Sequence, residues 1–286
     1  MTNPTLPLFE EHRQLLFGIA YRMLGSAVEA EDLVQEVWLR WQGTDRSVVL
    51  DPTGFLVTTT TRLAINLVQS ARSRRESYVG LWLPEPVETS ASPEEGAARG
   101  EELQLAVLRL LEALSPTERA AYVLREAFDY AHAEIATILQ VTEPNVRQLV
   151  ARARKHLESE RRVPVSSEEH ERFLEGFIAA AQKGDRAALE ALFSSDVVSR
   201  SDGGGVARVA PLPVEGRARV AKFVASFAAH FWADVTFAPV VANGRPSMVL
   251  LRDGVAYAFV TIEVSAEGID ELLWILNPAK LGAVTR

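Results

Sequence analysis

The sequence has 286 residues, 48% of them hydrophobic, so it is long enough for about two or three domains with buried cores. It contains no cysteine, which excludes disulfides, thiolate metal sites and a cysteine nucleophile. The formal net charge of −8 opposes free binding to DNA, because phosphate neutralisation drives most of that affinity. Without an export leader or a membrane-length apolar run, the chain is expected to be cytoplasmic and to make no membrane contact.

The first predicted elements are two helices between Leu8 and Trp41. Gly25 ends the first helix, and Ser26 with Glu29 predicts a capping box for the second. Apolar residues recur at helical spacing on the second helix and leave a polar set on its surface: Asp32, Gln35, Glu36 and Arg40. Taken alone, this set is typical of a solvated face.

The third predicted helix begins at Asp51-Pro52, a cap followed by proline at the first helical position, and continues to Arg75. Its predicted core positions are Leu56, Thr59, Leu63 and Leu67. The opposite face carries a polar stripe, and the helix ends in a basic cluster: Arg62, Asn66 and Gln69, then Arg72, Arg74 and Arg75. Basic side chains at the C-terminal end of a helix interact favourably with the helix macrodipole. Beside a polar stripe, they can also contact the phosphate backbone of a nucleic acid.

Residues 77–100 are rich in Pro, Gly, Ser and Glu, which is typical of a linker. They include the segment Trp82-Leu83-Pro84-Glu85-Pro86, whose large apolar side chains are costly to leave in water. We therefore predict that this segment docks elsewhere on the protein. A plain packing contact and a regulatory contact are both open.

The stretch from Ser115 to Leu157 predicts three helices, the last two joined as a helix-turn-helix. Thr142 can cap the last helix, with Pro144 inside its first turn. One face of that helix is apolar, and the other is polar and basic: Asn145, Arg147, Gln148, Arg152, Arg154 and Lys155. Such a helix can enter a DNA major groove, although a solvated basic helix in an ordinary bundle is the alternative.

From Ser166 onward the pattern changes to helices followed by strands. The predicted helices are 168–182, 186–193 and 217–231, and the predicted strands are 197–200, 235–241, 247–251, 255–264 and 269–276. Asn243-Gly244 and Asp253-Gly254 predict hairpin turns. Helices followed by an antiparallel meander indicate an α+β layer.

Several segments, taken in order, now resemble one family. YRMLGSAVEAEDLVQEVWLRW, DPTGFLVTTTTRLAINLVQSARSRR and LSPTERAAYVLREAF with its helix-turn-helix resemble regions 2 and 4 of bacterial extracytoplasmic-function sigma factors. The YVGLWLPEPV linker, the DGGG stretch and the closing NPAKL resemble the subgroup with a fused SnoaL-like domain. The resemblance covers nearly the whole chain.

The resemblance implies a multidomain fold, with two all-α sigma domains and an α+β SnoaL-like domain shaped as a cone with a pocket. It places sigma region 2 in residues 1–78, the linker in 79–104, sigma region 4 in 105–162 and the SnoaL-like regulatory domain in 166–286.

The resemblance also implies a role for each polar surface. The polar set of the second helix matches the family's surface for the β′ clamp helices of core RNA polymerase. Arg62, Asn66 and Gln69 match the face that reads and helps to melt the −10 element, with the basic cluster near the backbone. The polar face of the last helix matches the reader of the −35 element, so the implied partners are core polymerase and double-stranded and melted promoter DNA. No cofactor or metal is expected.

Three positions depart from the family pattern. Gln140 stands where the turn usually has glycine, and a positive φ there would cost about 1 kcal/mol. Ala131 stands where a Ser or Thr cap is usual, and Asn66 replaces a more usual Asp.

Three functions are compatible with the whole sequence. In the first, the C-terminal domain of a sigma factor contacts the linker and region 2 and fixes the separation of the DNA-reading modules. Gly203, Gly204 and Gly205 after Asp202 would let backbone approach the Trp82–Pro86 segment closely. In the second, a SnoaL-like isomerase or cyclase uses candidates among Asp202, His230, Tyr257, Glu263 and Trp274. The third is a helix-turn-helix regulator that never meets polymerase.

Overall fold

The computed structural model describes residues 6–76, 78–89, 104–158 and 165–285, without the side chains of residues 6, 71–76 and 158. The chain divides into two compact units. The helical unit joins residues 1–76 and 107–160, and the C-terminal unit joins residues 77–106 and 161–286. No helix among the described residues is long and apolar enough to cross a membrane.

The helices of the first part of the chain follow the predicted order. They are α1 Leu6–Leu24, α2 Ala27–Gly43, α3 Pro52–Glu76, α4 Leu105–Leu111, α5 Pro116–Tyr122, α6 His132–Leu139 and α7 Glu143–Glu158, with a 3-10 turn at Arg46–Val48 and a π-helical turn at Val123–Ala127. The predicted caps are present. The amide of Glu29 donates to the Ser26 hydroxyl, and Asp51 accepts from the amide of Gly54. Ser115 and Glu118 form a complete capping box.

The core face of α3 is rotated from the predicted one. Leu56 is fully buried as expected, but Thr59, Leu63 and Leu67 are only half-buried. The face that packs inward consists of Leu56, Val57, Thr60, Thr61, Ala64 and Val68. The run of four threonines offers no contrast between polar and apolar positions, so periodicity alone could not locate the face. A buried threonine is tolerated here because the Thr60 hydroxyl donates to the carbonyl of Leu56.

The C-terminal unit is α+β, as predicted. Its elements are α8 Ser167–Lys183, α9 Arg186–Leu192, β1 Phe193–Asp202, β2 Val214–Glu215, α10 Arg217–Ser226, α11 Ala228–Phe231, β3 Thr236–Ala242, β4 Arg245–Arg252, β5 Val255–Ser265 and β6 Gly268–Ile275. The sheet order is β2-β1-β6-β5-β4-β3, with β1 parallel to β6 and the other pairs antiparallel. The third predicted helix is interrupted at Phe227, and both hairpin turns carry the expected positive φ.

Both faces of this sheet are covered, because alternating strand residues enter two separate apolar clusters. Trp274 and its same-face neighbours pack with α8, α9 and α10. Leu273 and Ile275 point to the other face and pack with Leu83 of the predicted linker. Leu83 is 1% exposed, so the linker segment supplies part of the cover of this sheet.

Candidate functional site

A buried carboxylate at the end of β1 holds the linker segment. Asp202 is fully buried and accepts four hydrogen bonds. The Tyr78 hydroxyl donates at 2.6 Å, the Leu83 amide at 2.9 Å, the Gly204 amide at 3.0 Å and Lys280 Nζ at 2.7 Å. Two of these donors, Tyr78 and Leu83, lie in residues 78–89, so undocking that stretch would remove half of the hydrogen bonds that Asp202 accepts.

Lys280 completes the same cluster from the closing segment of the chain. Its Nζ also donates to the Leu83 carbonyl at 2.5 Å and lies 4.2 Å from the centroid of the Trp82 ring. Asn277 donates to the Tyr78 hydroxyl at 2.9 Å. We name the residues Tyr78, Leu83, Asp202, Asn277 and Lys280 the linker lock.

The Tyr78 phenol stays protonated as the donor of this cluster. Burial raises its pKa well above the ordinary value, and the hydrogen bond to Asp202 and the charge of Asp202 raise it further. Tyr78 therefore remains a hydrogen-bond donor throughout the neutral range.

The glycines after Asp202 are closely packed, but against residues other than the Trp82–Pro86 segment. A Cβ on Gly204, at φ +61°, would lie 2.5 Å from the Asn277 side chain. A Cβ on Gly205 would lie 3.1 Å from Val79. Gly203 is also buried, and its carbonyl accepts from the amides of the following turn. The predicted segment is docked too: Leu83, Pro84, Glu85 and Pro86 are buried and Trp82 is half-buried.

A second anchor pairs the linker with the edge of the sheet. Asn243 exchanges two hydrogen bonds of 2.9 Å with Val87, one through its side chain and one through its backbone. The amide of Thr89 donates to the carbonyl of Val241 at 2.8 Å, and Glu88 forms a bridge with Ala242. The linker thus pairs with the edge strand β3 through a single antiparallel bridge and its flanking hydrogen bonds.

The candidate catalytic residues do not converge on one site. His230 is exposed, whereas Asp202 belongs to the linker lock. The Tyr257 hydroxyl donates to the Phe231 carbonyl, and Trp274 Nε1 donates to the Ser199 hydroxyl, both within the aromatic core. Glu263 lies on β5 opposite Glu271 of β6. Among the described residues, no group of His, Asp and Glu could hold a metal ion.

The predicted −35 face is exposed along α7. Asn145, Gln148 and Lys155 point to solvent, and Thr142 caps the helix. Three arginines of the same face contact carboxylates of the helical unit: Arg147 with Glu143, Arg152 with Glu118 and Arg154 with Glu126. The backbone of Gln140 is left-handed, with φ 56°. The three arginine side chains remain more than half exposed despite these ion pairs.

The predicted −10 stripe lies on the exposed side of α3, but one of its members is engaged. Arg62 Nε donates to the carbonyl of Ile138 on α6 at 3.2 Å. Asn66 and Arg62 line a groove of about 810 Å³ together with Tyr130 and Ile138. Gln69 is exposed. The backbone of Arg72, Arg74 and Arg75 lies within α3, but their side chains are outside the described part of the structure.

The polar set on α2 forms one exposed surface. Asp32, Gln35, Glu36 and Arg40 are all exposed, and Arg40 donates to Glu36 at 2.8 Å. Two apolar side chains of the same helix, Val28 and Leu39, are 58% and 55% exposed. Apolar side chains displayed beside charged ones are typical of a protein-binding surface.

The sequence profile of sigma-70 region 2 matches residues 8–74, and that of sigma-70 region 4 matches residues 104–157. The chain is 37% identical to the ECF RNA polymerase sigma factor SigJ of Mycobacterium tuberculosis strain H37Rv, over 76% of this chain and 70% of SigJ. The chain belongs to the extracytoplasmic-function sigma factors. As a sigma factor, it is a transcription initiation factor that binds core RNA polymerase and promoter DNA.

The similarity extends beyond the two sigma regions. The probable sigma factor SigI of M. tuberculosis is 28% identical over 98% of this chain and 95% of its own length. The crystal structure of M. tuberculosis SigJ superposes with a TM-score of 0.77 and 30% identity, covering 97% of this chain and 98% of that one. The C-terminal unit of this sigma factor is therefore shared with a relative of known structure.

Sequence reasoning missed part of the linker lock. Tyr78 and Asn277 were not predicted as site residues, and Lys280 was noted only as part of the closing NPAKL motif. Burial was the missing information, because Asp202 at 0% exposure requires a cation and several donors. The buried Arg22 and Arg119 of the helical unit were missed as well.

Proposed function

We propose that docking of linker residues 78–89 on the C-terminal domain restrains this sigma factor's activity at promoters. The single observation that carries the proposal is the buried Asp202 carboxylate, which accepts hydrogen bonds from both Tyr78 and Leu83 of the linker. A linker that served only as a tether would have no need of a buried ion pair. Undocking would leave Asp202 and Lys280 without their linker partners and would expose Leu83, so the docked state is strongly favoured.

The length of the linker supplies the physical reason for restraint. The −35 and −10 elements lie about 25 base pairs apart, or about 80 Å along B-form DNA. Residues 77–106 connect the two sigma regions, and a chain of that length reaches roughly 100 Å when fully extended. With residues 78–89 docked and α4 beginning at Leu105, residues 90–104 reach at most roughly 50 Å. Docking therefore restricts the range of distances that regions 2 and 4 can adopt.

The roles of the polar surfaces are part of the same proposal. Asp32, Gln35, Glu36 and Arg40 bind the β′ clamp helices of core polymerase, supported by the exposed apolar residues beside them on α2. The stripe on α3 reads melted −10 DNA, and the exposed face of α7 reads the −35 element. Core polymerase supplies much of the DNA affinity that a chain of net charge −8 lacks.

We propose further that the C-terminal domain has no enzymatic activity and that the protein works in the cytoplasm with its polymerase. In support of the first point, Asp202 is occupied by the linker and His230 is exposed to solvent. The hydroxyl of Tyr257 is bonded to the Phe231 carbonyl, and burial raises its pKa to about 12, so it is a poor proton-transfer group at neutral pH.

Promoter-specific run-off transcription with purified core polymerase tests the restraint. The Asp202→Asn variant removes the charge that holds the linker, and we expect more transcript than from the wild type at equal sigma concentration. Asp253→Asn makes the same change in an exposed turn and should behave as wild type. Equal or reduced transcript from a folded Asp202→Asn protein would refute restraint by docking.

A further inference from the structure

The C-terminal unit holds linker residues 78–89 in the way that a peptide-binding domain holds a linear peptide. Residues 79–87 belong to no helix or strand, and they cross the sheet face opposite the aromatic core. Leu83 enters the apolar cluster on that face, where Phe259 and Leu273 of the sheet are buried with it. This site is therefore separate from the interior of the domain.

Recognition of the peptide backbone is the first property of this site. The Leu83 amide donates to Asp202 at 2.9 Å, and the Leu83 carbonyl accepts from Lys280 Nζ at 2.5 Å. An amide and a carbonyl are present in almost every residue of a peptide, so these contacts hold the chain without regard to its sequence. They place the Leu83 side chain in the apolar cluster.

Sequence preference comes from the residues next to this leucine. Lys280 Nζ lies 4.2 Å from the centroid of the Trp82 ring, a cation–π contact that favours an aromatic residue before the leucine. Pro84 and Pro86 are buried. Because proline has no N–H group, its nitrogen can be buried without a hydrogen-bond acceptor. The site therefore favours a peptide with an aromatic residue, leucine and proline in succession.

Pairing with the edge of the sheet completes the site. Asn243 exchanges two hydrogen bonds with Val87, and the Thr89 amide donates to the Val241 carbonyl. Addition of an extended peptide to a sheet edge is a recurrent mode of peptide recognition, because the edge supplies backbone donors and acceptors. One antiparallel bridge forms here, so this end adds contacts with little sequence preference.

We propose that the C-terminal domain is a peptide-binding module whose intramolecular ligand is the linker. Its ligand in trans is an extended segment of another protein that presents the same succession of an aromatic residue, leucine and proline. Binding of that segment displaces residues 78–89 from the domain. The peptide site depends only on the docked geometry, whereas relief of transcriptional restraint by the partner rests on the function proposed for the linker.

The tethering of the linker favours a different protein over a second copy of this chain. Residues 78–89 follow α3 directly and are joined through residues 90–104 to α4, so their effective concentration at the site is about millimolar. The linker of a second copy has the same sequence and a site of its own, so it gains no advantage over the tethered segment. A partner must therefore bind more tightly than the linker sequence itself.

The test measures binding of the fluorescein-labelled peptide YVGLWLPEPVET to the full chain by fluorescence polarisation. Leu83→Asp places a charge in the apolar cluster and vacates the site, whereas Val255→Asp makes a comparable change at an exposed position. We expect Leu83→Asp to bind the peptide at least tenfold more tightly than the wild type or Val255→Asp. A tenfold difference follows if fewer than about one in ten wild-type molecules has an undocked linker.

Two further changes test whether the peptide occupies this site. In the Leu83→Asp chain, Lys280→Gln removes the charge that contacts the leucine carbonyl and the tryptophan ring, and it should weaken peptide binding at least tenfold. A peptide with aspartate in place of its leucine should not bind to Leu83→Asp. Circular dichroism checks that each variant is folded, and the altered peptide decides the question even if Lys280→Gln is not.

Equal binding of the peptide by Leu83→Asp and the wild type, or binding of the altered peptide, would overturn the proposal. Absence of binding to a folded Leu83→Asp protein whose linker is sensitive to protease would also overturn it. Light scattering of the wild type tests the second copy, and a dimer held by exchanged linkers would refute the assignment to a different protein.

The effect of the peptide on transcription is measured separately. Saturation of the wild type with the peptide should increase run-off transcript from core polymerase, as expected if the linker restrains activity. If the peptide binds at this site and the transcript is unchanged, the restraint is refuted while the peptide site stands. If the peptide does not bind and Asp202→Asn still increases the transcript, the peptide site is refuted while the restraint stands.

Discussion

The Asp202 carboxylate lies 2.7 Å from the ammonium of Lys280, and both side chains are buried at the point where the linker crosses the C-terminal unit. Asp202 ends β1, and Lys280 lies in a short turn after β6. The Leu83 amide donates to Asp202 while the Leu83 carbonyl accepts from Lys280. The ion pair of the C-terminal domain thus binds both backbone polar groups of one linker residue, Leu83.

Removing the charge of Asp202 should destabilise the C-terminal unit. Asp202→Asn keeps the size of the side chain but leaves Lys280 buried without its counter-charge, a defect worth about 3–5 kcal/mol. Urea unfolding followed by tryptophan fluorescence measures the loss. The exposed Asp253→Asn control should change the unfolding free energy by less than about 0.5 kcal/mol. A loss below about 1 kcal/mol in Asp202→Asn would show that the pair is not desolvated.

The double variant Asp202→Asn/Lys280→Met should lose less unfolding free energy than the two single variants lose together. Lys280→Met removes the other charge and fills the space with an apolar chain. Once both charges are gone, no uncompensated ion remains, so a thermodynamic cycle should give a favourable coupling of about 1–3 kcal/mol between positions 202 and 280. Additive losses would mean that the two groups act separately.

The stability of the C-terminal unit should fall with acid because of His170. His170 is buried, and its Nε2 contacts the carbonyl of Ile262 at 2.8 Å. Burial lowers its pKa from 6.5 to about 4, so between these values the unfolded chain binds a proton that the folded chain does not. The contribution of neutral His170 to the free energy of unfolding is therefore complete above pH 6.5 and is lost progressively down to about pH 4.

A matched pair of substitutions isolates this effect. His170→Gln keeps a donor for Ile262 but cannot titrate, whereas His230→Gln removes an exposed histidine. Between pH 7 and pH 5 the wild type and His230→Gln should lose about 2 kcal/mol more unfolding free energy than His170→Gln. Parallel pH profiles for all three proteins would contradict the assignment.

We expect the exposed face of α7 to contain residues that read DNA bases and others that bind the DNA phosphate backbone. Gln148 is exposed near the N-terminal part of the helix, and Lys155 near its end. Gln148→Ala should relax the preference for the −35 sequence by about 1–3 kcal/mol. Lys155→Ala should weaken binding to all sequences and lower the salt dependence by about one phosphate contact. Binding isotherms of the polymerase holoenzyme at several salt concentrations measure both, and identical behaviour of the two variants would refute the division.

Local signals in the sequence predicted most of the helices, strands and turns. Caps such as Ser115-Pro116 and turns such as Asn243-Gly244 depend on neighbouring residues only, and both are present in the structure. The inward face of α3 was wrong by about one position, because Thr58 to Thr61 carry no hydrophobic contrast. The partners of Asp202 could not be predicted either, since Tyr78 and Lys280 lie far from it in sequence and meet it only through the sheet.

The contact between regions 2 and 4 also escaped prediction for a physical reason. Arg119 and Arg22 occupy helical positions where arginine is ordinarily solvated, and nothing local marks them as buried. Only tertiary packing places the Met23 carbonyl and the Phe128 ring against them.

Leu83→Asp tests whether the docked linker restrains transcription. This change places a charge in the apolar cluster beneath the linker, next to Asp202, and should expel the segment without altering the sheet. Val255→Asp makes an equivalent change at an exposed position and serves as the control. In run-off transcription with core polymerase, we expect more promoter-specific transcript from Leu83→Asp than from the wild type or the control. A transcript level equal to or below that of the wild type, from a protein whose linker has become sensitive to protease, would contradict it.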